Sequence, residues 1–222
     1  MMIPYEQRQL EIAVISFDVT RWPRTTSEAL LEVVERNEWL PITEMQLSVD
    51  DPWQPYDRAR AVALVAKRGV GLRASSELAL EGSVTNNGRS AKVAIWLTPE
   101  VFQSRPESAV ESWIARTVAA FPDAQFASAS ADDEQTTLKL EHDLVTMPLF
   151  RDVGWLHVLC PSAYPAHYDR ASLLAAPCHR VEERADGTIW IWVYEHPLRY
   201  DDPGVRDAIV RLNKYLQAHL RS

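Results

Sequence analysis

Glycine is scarce in this chain, with seven residues among 222. None is arranged as the turn that aims backbone amides at a phosphate, which excludes the nucleotide-binding classes built on such loops. Cysteine is scarcer still: Cys160 and Cys178 are the two present, too few for a disulfide framework, and both are expected as thiols. They and the six histidines do not fall at zinc-ligand spacing, so neither a metal nor any other cofactor is expected. Gly-x-Ser-x-Gly and His-Glu-x-x-His patterns are also missing. No run approaches the roughly 18 uninterrupted apolar residues of a membrane span. Met1 to Gln9, with its charges and Pro4, has no apolar core of signal-peptide length, so a cytoplasmic protein is expected. An excess of positive charge is lacking too. The formal net charge of −8 and pI near 5.3 argue against binding DNA or RNA through the overall field, and suit a partner with a basic cleft.

What is present is a well-patterned globular chain, 46% hydrophobic and 24% charged, with eight tryptophans. Asp152 to Tyr200 is its centre. Trp155-Leu156-His157-Val158-Leu159 and Ile189-Trp190-Ile191-Trp192-Val193 are rich in β-branched and aromatic residues, as buried strands require. The second is apolar on both faces and is expected near the middle of a sheet. Asp186-Gly187 marks a tight turn that folds Val181-Glu182-Glu183 back on it.

Elsewhere, Leu10 to Thr20 reads as a strand. Thr25-Thr26-Ser27-Glu28 is a capping box opening a helix that ends near Asn37. A short strand is expected at Met45 to Val49 and a helix over Tyr56 to Lys67, closed by Arg68-Gly69-Val70-Gly71. Glu77 to Ser83 and Ala91 to Leu97 form a hairpin through Asn86-Asn87-Gly88. Ser104 to Phe121 is a helix with an inward stripe of Val110, Trp113, Ile114 and Thr117, and Asp123 to Ser130 a strand. Tyr168 to Ala175 is expected as a helix, and Asp202-Pro203 as the N-cap and first position of the last helix. Hairpins beside single helices predict an α+β fold, a mixed, largely antiparallel sheet with helices packed on it. Residues 1–222 read as one domain, with a division into halves 1–134 and 135–222.

No catalytic constellation emerges. Cys178 and His179, as neighbours on an extended chain, point apart and are poorly placed as nucleophile and base. Asp132, Asp133 and Glu134 resemble part of an acidic nuclease site, but the strand that should follow lacks its acid-x-Lys pair; a solvated acidic loop is expected. The expectation is a non-enzyme. The alternative is a small hydrolase or transferase with a site built from His157, Glu195 and His196.

Val153-Gly154-Trp155-Leu156-His157-Val158-Leu159-Cys160-Pro161, Gly187-Thr188-Ile189-Trp190-Ile191-Trp192-Val193 and Glu195-His196-Pro197-Leu198-Arg199-Tyr200-Asp201-Asp202-Pro203 together resemble the bacterial polymorphic-toxin immunity family known as immunity protein family 52. The resemblance implies a protein that neutralises a cognate toxin, often one exported by a type VI secretion system. The toxin implied is a restriction-endonuclease-like DNase, blocked by occlusion of its active or substrate-binding surface. Two segments are candidates for the toxin contact: Asp132, Asp133 and Glu134, and the turn-rich Asp50, Asp51, Trp53 and Tyr56. Direct contact with nucleic acid or membrane is not expected.

Overall fold

A computed structural model describes residues 8–17, 24–37, 39, 41–48, 50–74, 80–86, 90–103, 107–121, 123–131, 134, 138, 144–150 and 153–221. The fold is α+β, with every described strand pairing antiparallel. The chain divides into two compact units, one of Ile12–Ala124 and one of Met1–Glu11 with Gln125–Ser222. The boundary falls at Ala124, ahead of the expected one after residue 134, because the strand at Phe126–Ala131 pairs with Leu156–Leu159 of the later segment.

The first unit holds β1 (Leu10–Phe17) from Ile12 onward, with β2 (Glu44–Gln46), β3 (Gln54–Pro55), β4 (Gly69–Arg73), β5 (Leu80–Asn86) and β6 (Ser90–Leu97), in the order β3-β2-β4-β5-β6-β1. Strand alternation splits them cleanly. Met45, Val70, Leu72, Val84, Val93, Ile95 and Leu97 are buried on one face. Helix α1 (Arg24–Glu35) covers that face, close enough that a Cβ built on Gly82 would lie 3.5 Å from Val34. It packs also on α2 (Arg58–Val65) and on α4 (Glu107–Ala120), which follows the short α3 (Pro99–Gln103). Asp57 caps α2 by accepting the Arg60 amide at 3.1 Å, which satisfies one of the free N-terminal donors. The opposite face of β2, β4, β5 and β6 carries Glu44, Gln46, Gly71, Arg73, Glu81, Ser83, Thr85, Lys92 and Trp96, half-buried or exposed.

The second unit is built on β7 (Phe126–Ala131), β8 (Leu156–Leu159), β9 (Arg180–Glu183) and β10 (Ile189–Trp192), in the order β7-β8-β10-β9. Every residue of β8 and β10 is buried. Helix α5 (Arg170–Leu174) precedes β9, and α6 (Val205–Ala218) buries Val205, Ile209, Leu212 and Leu216. Its buried Asn213 bonds both backbone groups of Val145, donating to the carbonyl at 3.0 Å and accepting the amide at 3.1 Å.

Three local expectations give way. Arg68 to Gly71 does not simply close α2: Gly69–Arg73 is a strand, entered through Gly69 at φ +130°, where a Cβ would lie 2.7 Å from the Val84 carbonyl. The last helix starts at Val205 with Gly204 (φ 90°) as its N-cap, so Asp202-Pro203 forms the preceding turn. Strand β10 is one position in from the edge, and its outer neighbour is the exposed, charged β9. The Asn87 to Gly88 turn lies outside the described residues.

Candidate binding site

The polar sheet face of the first unit is concave. A trough of about 520 Å³ runs over β2, β4 and β5, lined by Gln46, Ser48, Trp53, Arg68, Ser83 and Trp96 among others. Its floor follows from register. Gln46 faces Gly71, Gly71 faces Ser83, and Ser83 faces Ala94 in one cross-strand row. Small side chains in that row leave the backbone close to solvent. A tryptophan stands on either side.

Trp53, from the loop before β3, lies close over Gly71: a Cβ there would meet the indole Cη2 at 3.6 Å. The Arg73 guanidinium carbon sits 4.4 Å from the Trp53 ring centroid, and its Nε donates to Glu44 at 2.6 Å. Gln46 donates through Nε2 to the Asp51 carbonyl at 2.7 Å, holding the loop against the sheet. Across the trough, Trp96 faces Glu81 in the β5–β6 ladder. Glu81 is exposed and, among the described residues, has no ion-pair partner; Arg68, also exposed, has none either. The row Glu44–Arg73–Glu81–Trp96 ends the trough on its acidic side, and Arg68 lines its opposite end. The volume lies within the range of about 300–1,000 Å³ typical of ligand pockets. Half-buried tryptophans that keep part of the ring open beside a floor of small residues are also what protein-binding hot spots use.

Of the residues expected to contact a partner, Trp53 lines the trough and Asp51 supports its rim, with the exposed Asp50 beside it. Tyr56 turns instead toward α1, where its hydroxyl donates to Glu35 and Arg58 pairs with the same carboxylate at 3.1 Å. Burial and that neighbouring carboxylate push the Tyr56 phenol well above its ordinary value. Asp132 and Asp133 lie outside the described residues. Glu134 corrects the expectation of a solvated acidic loop: it is 1% exposed and packed beside the Tyr194 hydroxyl. A carboxylate so enclosed cannot meet a partner surface.

Of the three residues named for a hydrolytic site, His157 is buried in β8 and accepts the Gly154 amide at its Nε2 at 3.1 Å. Burial lowers its pKa to about 4, which makes it a neutral sheet histidine at ordinary pH. Glu195 is exposed and His196 half-buried, its Nδ1 accepting the Leu198 amide at 3.3 Å. Sequence reading missed Gln46, Arg68, Gly71, Glu81, Ser83 and Trp96. The signal lay in the polar alternates of the β5–β6 hairpin, which place Glu81, Ser83 and Trp96 on the face opposite Val84, Val93 and Ile95.

No protein-family model matches the chain, the immunity family included. No curated protein matches it. Among solved structures it is similar to the Pseudomonas aeruginosa T6SS protein PA0821, with a TM-score of 0.62 and 12% identity, over 96% of this chain and 73% of that one. At that identity the likeness is one of fold. None of the described helices is long and apolar enough to cross a membrane.

Proposed function

We propose that this protein is an immunity protein of a type VI secretion context, which binds a cognate secreted toxin and neutralises it by occlusion. The toxin of this reading is a restriction-endonuclease-like DNase. The observation that carries the proposal is the open trough between Trp53 and Trp96, with its floor of small residues. Such a surface gives a partner's side chains depth to enter and aromatic walls to pack on, and it needs no chemistry of its own. The fold shared with a T6SS protein and the net charge of −8 support the same reading, since a nuclease must be basic where it meets DNA.

DNA cleavage by the toxin domain encoded beside this gene, with and without equimolar purified protein, tests it. Loss of cleavage with a one-to-one complex is expected. Unimpaired cleavage with no complex would remove the immunity role.

A further inference from the structure

Three times within the described residues, a guanidinium is held between an aromatic ring and a carboxylate. Arg184 lies 3.5 Å from the Trp190 centroid and 3.5 Å from Glu182. Arg73 lies 4.4 Å from that of Trp53 and bonds Glu44 at 2.6 Å. Arg8 lies 4.3 Å from that of Tyr200 and pairs with Asp201 at 2.8 Å. In the first of these, ring and carboxylate are direct cross-strand partners, Trp190 opposite Glu182 in the β9–β10 ladder. The register brings an indole and a carboxylate side by side on one face, and the planar cation satisfies both at once.

Trp96 and Glu81 repeat that register. They are direct partners in the antiparallel β5–β6 ladder, on the open face at the acidic end of the trough. The difference is exposure: Trp190 is 1% exposed beneath its arginine, whereas Trp96 is half-buried and Glu81 exposed. The nearest described cation is the Lys92 ammonium, 5.3 Å from the Trp96 centroid, farther than any of the three arginines above. An ammonium is a compact point charge and lacks the flat fork that can stack on a ring while bonding a carboxylate in the ring's plane. Arg73, the cross-strand neighbour of Glu81 on its other side, is engaged by Glu44.

We propose that the Trp96–Glu81 pair is the receptor for an arginine side chain of a protein partner, stacked on the indole and paired with the carboxylate. The proposal deepens the binding reading above and rests on it for the partner's identity. An arginine is also the residue that a DNA-cleaving partner has in excess at its phosphate-binding surface.

The test has two arms. N-acetyl-arginine amide and N-acetyl-lysine amide are titrated at matched ionic strength against the nitrogen-15-labelled protein, and the Trp96 indole N–H, assigned through Trp96→Phe, is followed. A saturable shift is expected with the arginine amide, several-fold weaker with the lysine amide, and abolished by Glu81→Gln. No shift at Trp96, equal responses to the two amides, or a response unchanged in Glu81→Gln would overturn the proposal. In the second arm, Glu81→Gln is expected to weaken the toxin complex about tenfold or more, and an unchanged affinity would count against the site. If no complex forms at all, the immunity reading fails, while the amide titration still decides the arginine site.

Discussion

Arg8 grips Asp201 with both terminal guanidinium nitrogens, each at 2.8 Å, although the two residues stand 193 positions apart. The arginine is 4% exposed, and its ring contact with Tyr200 completes the enclosure. Removing one partner leaves the other charge poorly compensated, so Arg8→Ala should cost about 2–4 kcal/mol in urea denaturation. Arg8→Lys should recover only part, since an ammonium cannot bond bidentately. The hydrogen bond from Arg8 holds the Asp201 carboxyl below its ordinary value. The stabilisation from the pair is therefore full above the unfolded value of about 4 and lost as pH falls through the folded one.

Gly154 is required by a close approach. A Cβ there would lie 2.3 Å from the Ser130 Cβ on β7, a distance that packed atoms do not adopt. Gly154→Ala should destabilise by about 2–4 kcal/mol or prevent folding. Ser130→Gly in the same chain should restore part of the loss, because the Ser130 Cα at 3.2 Å stays tight. Thermal unfolding of the two variants would separate this clash from a conformational need for glycine, which no second substitution would relieve.

The His157 ring is neutral in the fold, with its pKa lowered by burial to about 4. Its unfolded value is about 6.5, so the unfolded chain takes up a proton first as pH falls. Stability is full above about pH 6.5 and declines toward pH 4, by on the order of 3 kcal/mol from this group. Glutamine can still accept the Gly154 amide, so His157→Gln should flatten the decline in unfolding free energy between pH 7 and 4. An undiminished slope in the variant would assign the acid sensitivity to other groups.

Gly71 separates binding from stability. A Cβ there would meet Gln46 at 3.4 Å and the Trp53 ring at 3.6 Å, ordinary contacts. Gly71→Ala should therefore leave the unfolding free energy within about 1 kcal/mol of the parent. It raises the trough floor by a methyl group, and affinity for the toxin should fall several-fold, measured by titration calorimetry. Equal affinity at equal stability would place the contact surface elsewhere.

Local pattern made much of the fold legible. The alternation of Ile189 to Val193, the Asp186-Gly187 turn and the stripe of Val110, Trp113 and Ile114 each predict the element found there. Gly187 adopts φ +81°, and Asp186 accepts the Thr188 amide at 2.9 Å, as an Asx turn should. Strand β4 was not legible, because Gly69-Val70-Gly71 reads as a helix terminator when only near neighbours are considered. Its strand state comes from pairing on both sides, with β2 and with β5.

The same division holds for the site. By itself the sequence determined the α+β class, the absence of a recognisable catalytic motif, the acidic charge and the candidacy of Trp53 and Asp51, all properties of composition or of residues near in sequence. It left Glu134 among exposed acids, since burial depends on what the rest of the chain lays over a residue. Only the tertiary structure set Gln46, Gly71 and Ser83 in one row, with Trp53 beside it and Glu81 opposite Trp96. Strand register decided that arrangement. A slip of one residue would turn Gln46, Ser83, Glu81 or Trp96 to the buried face, and what holds the register is pairing between strands far apart in sequence.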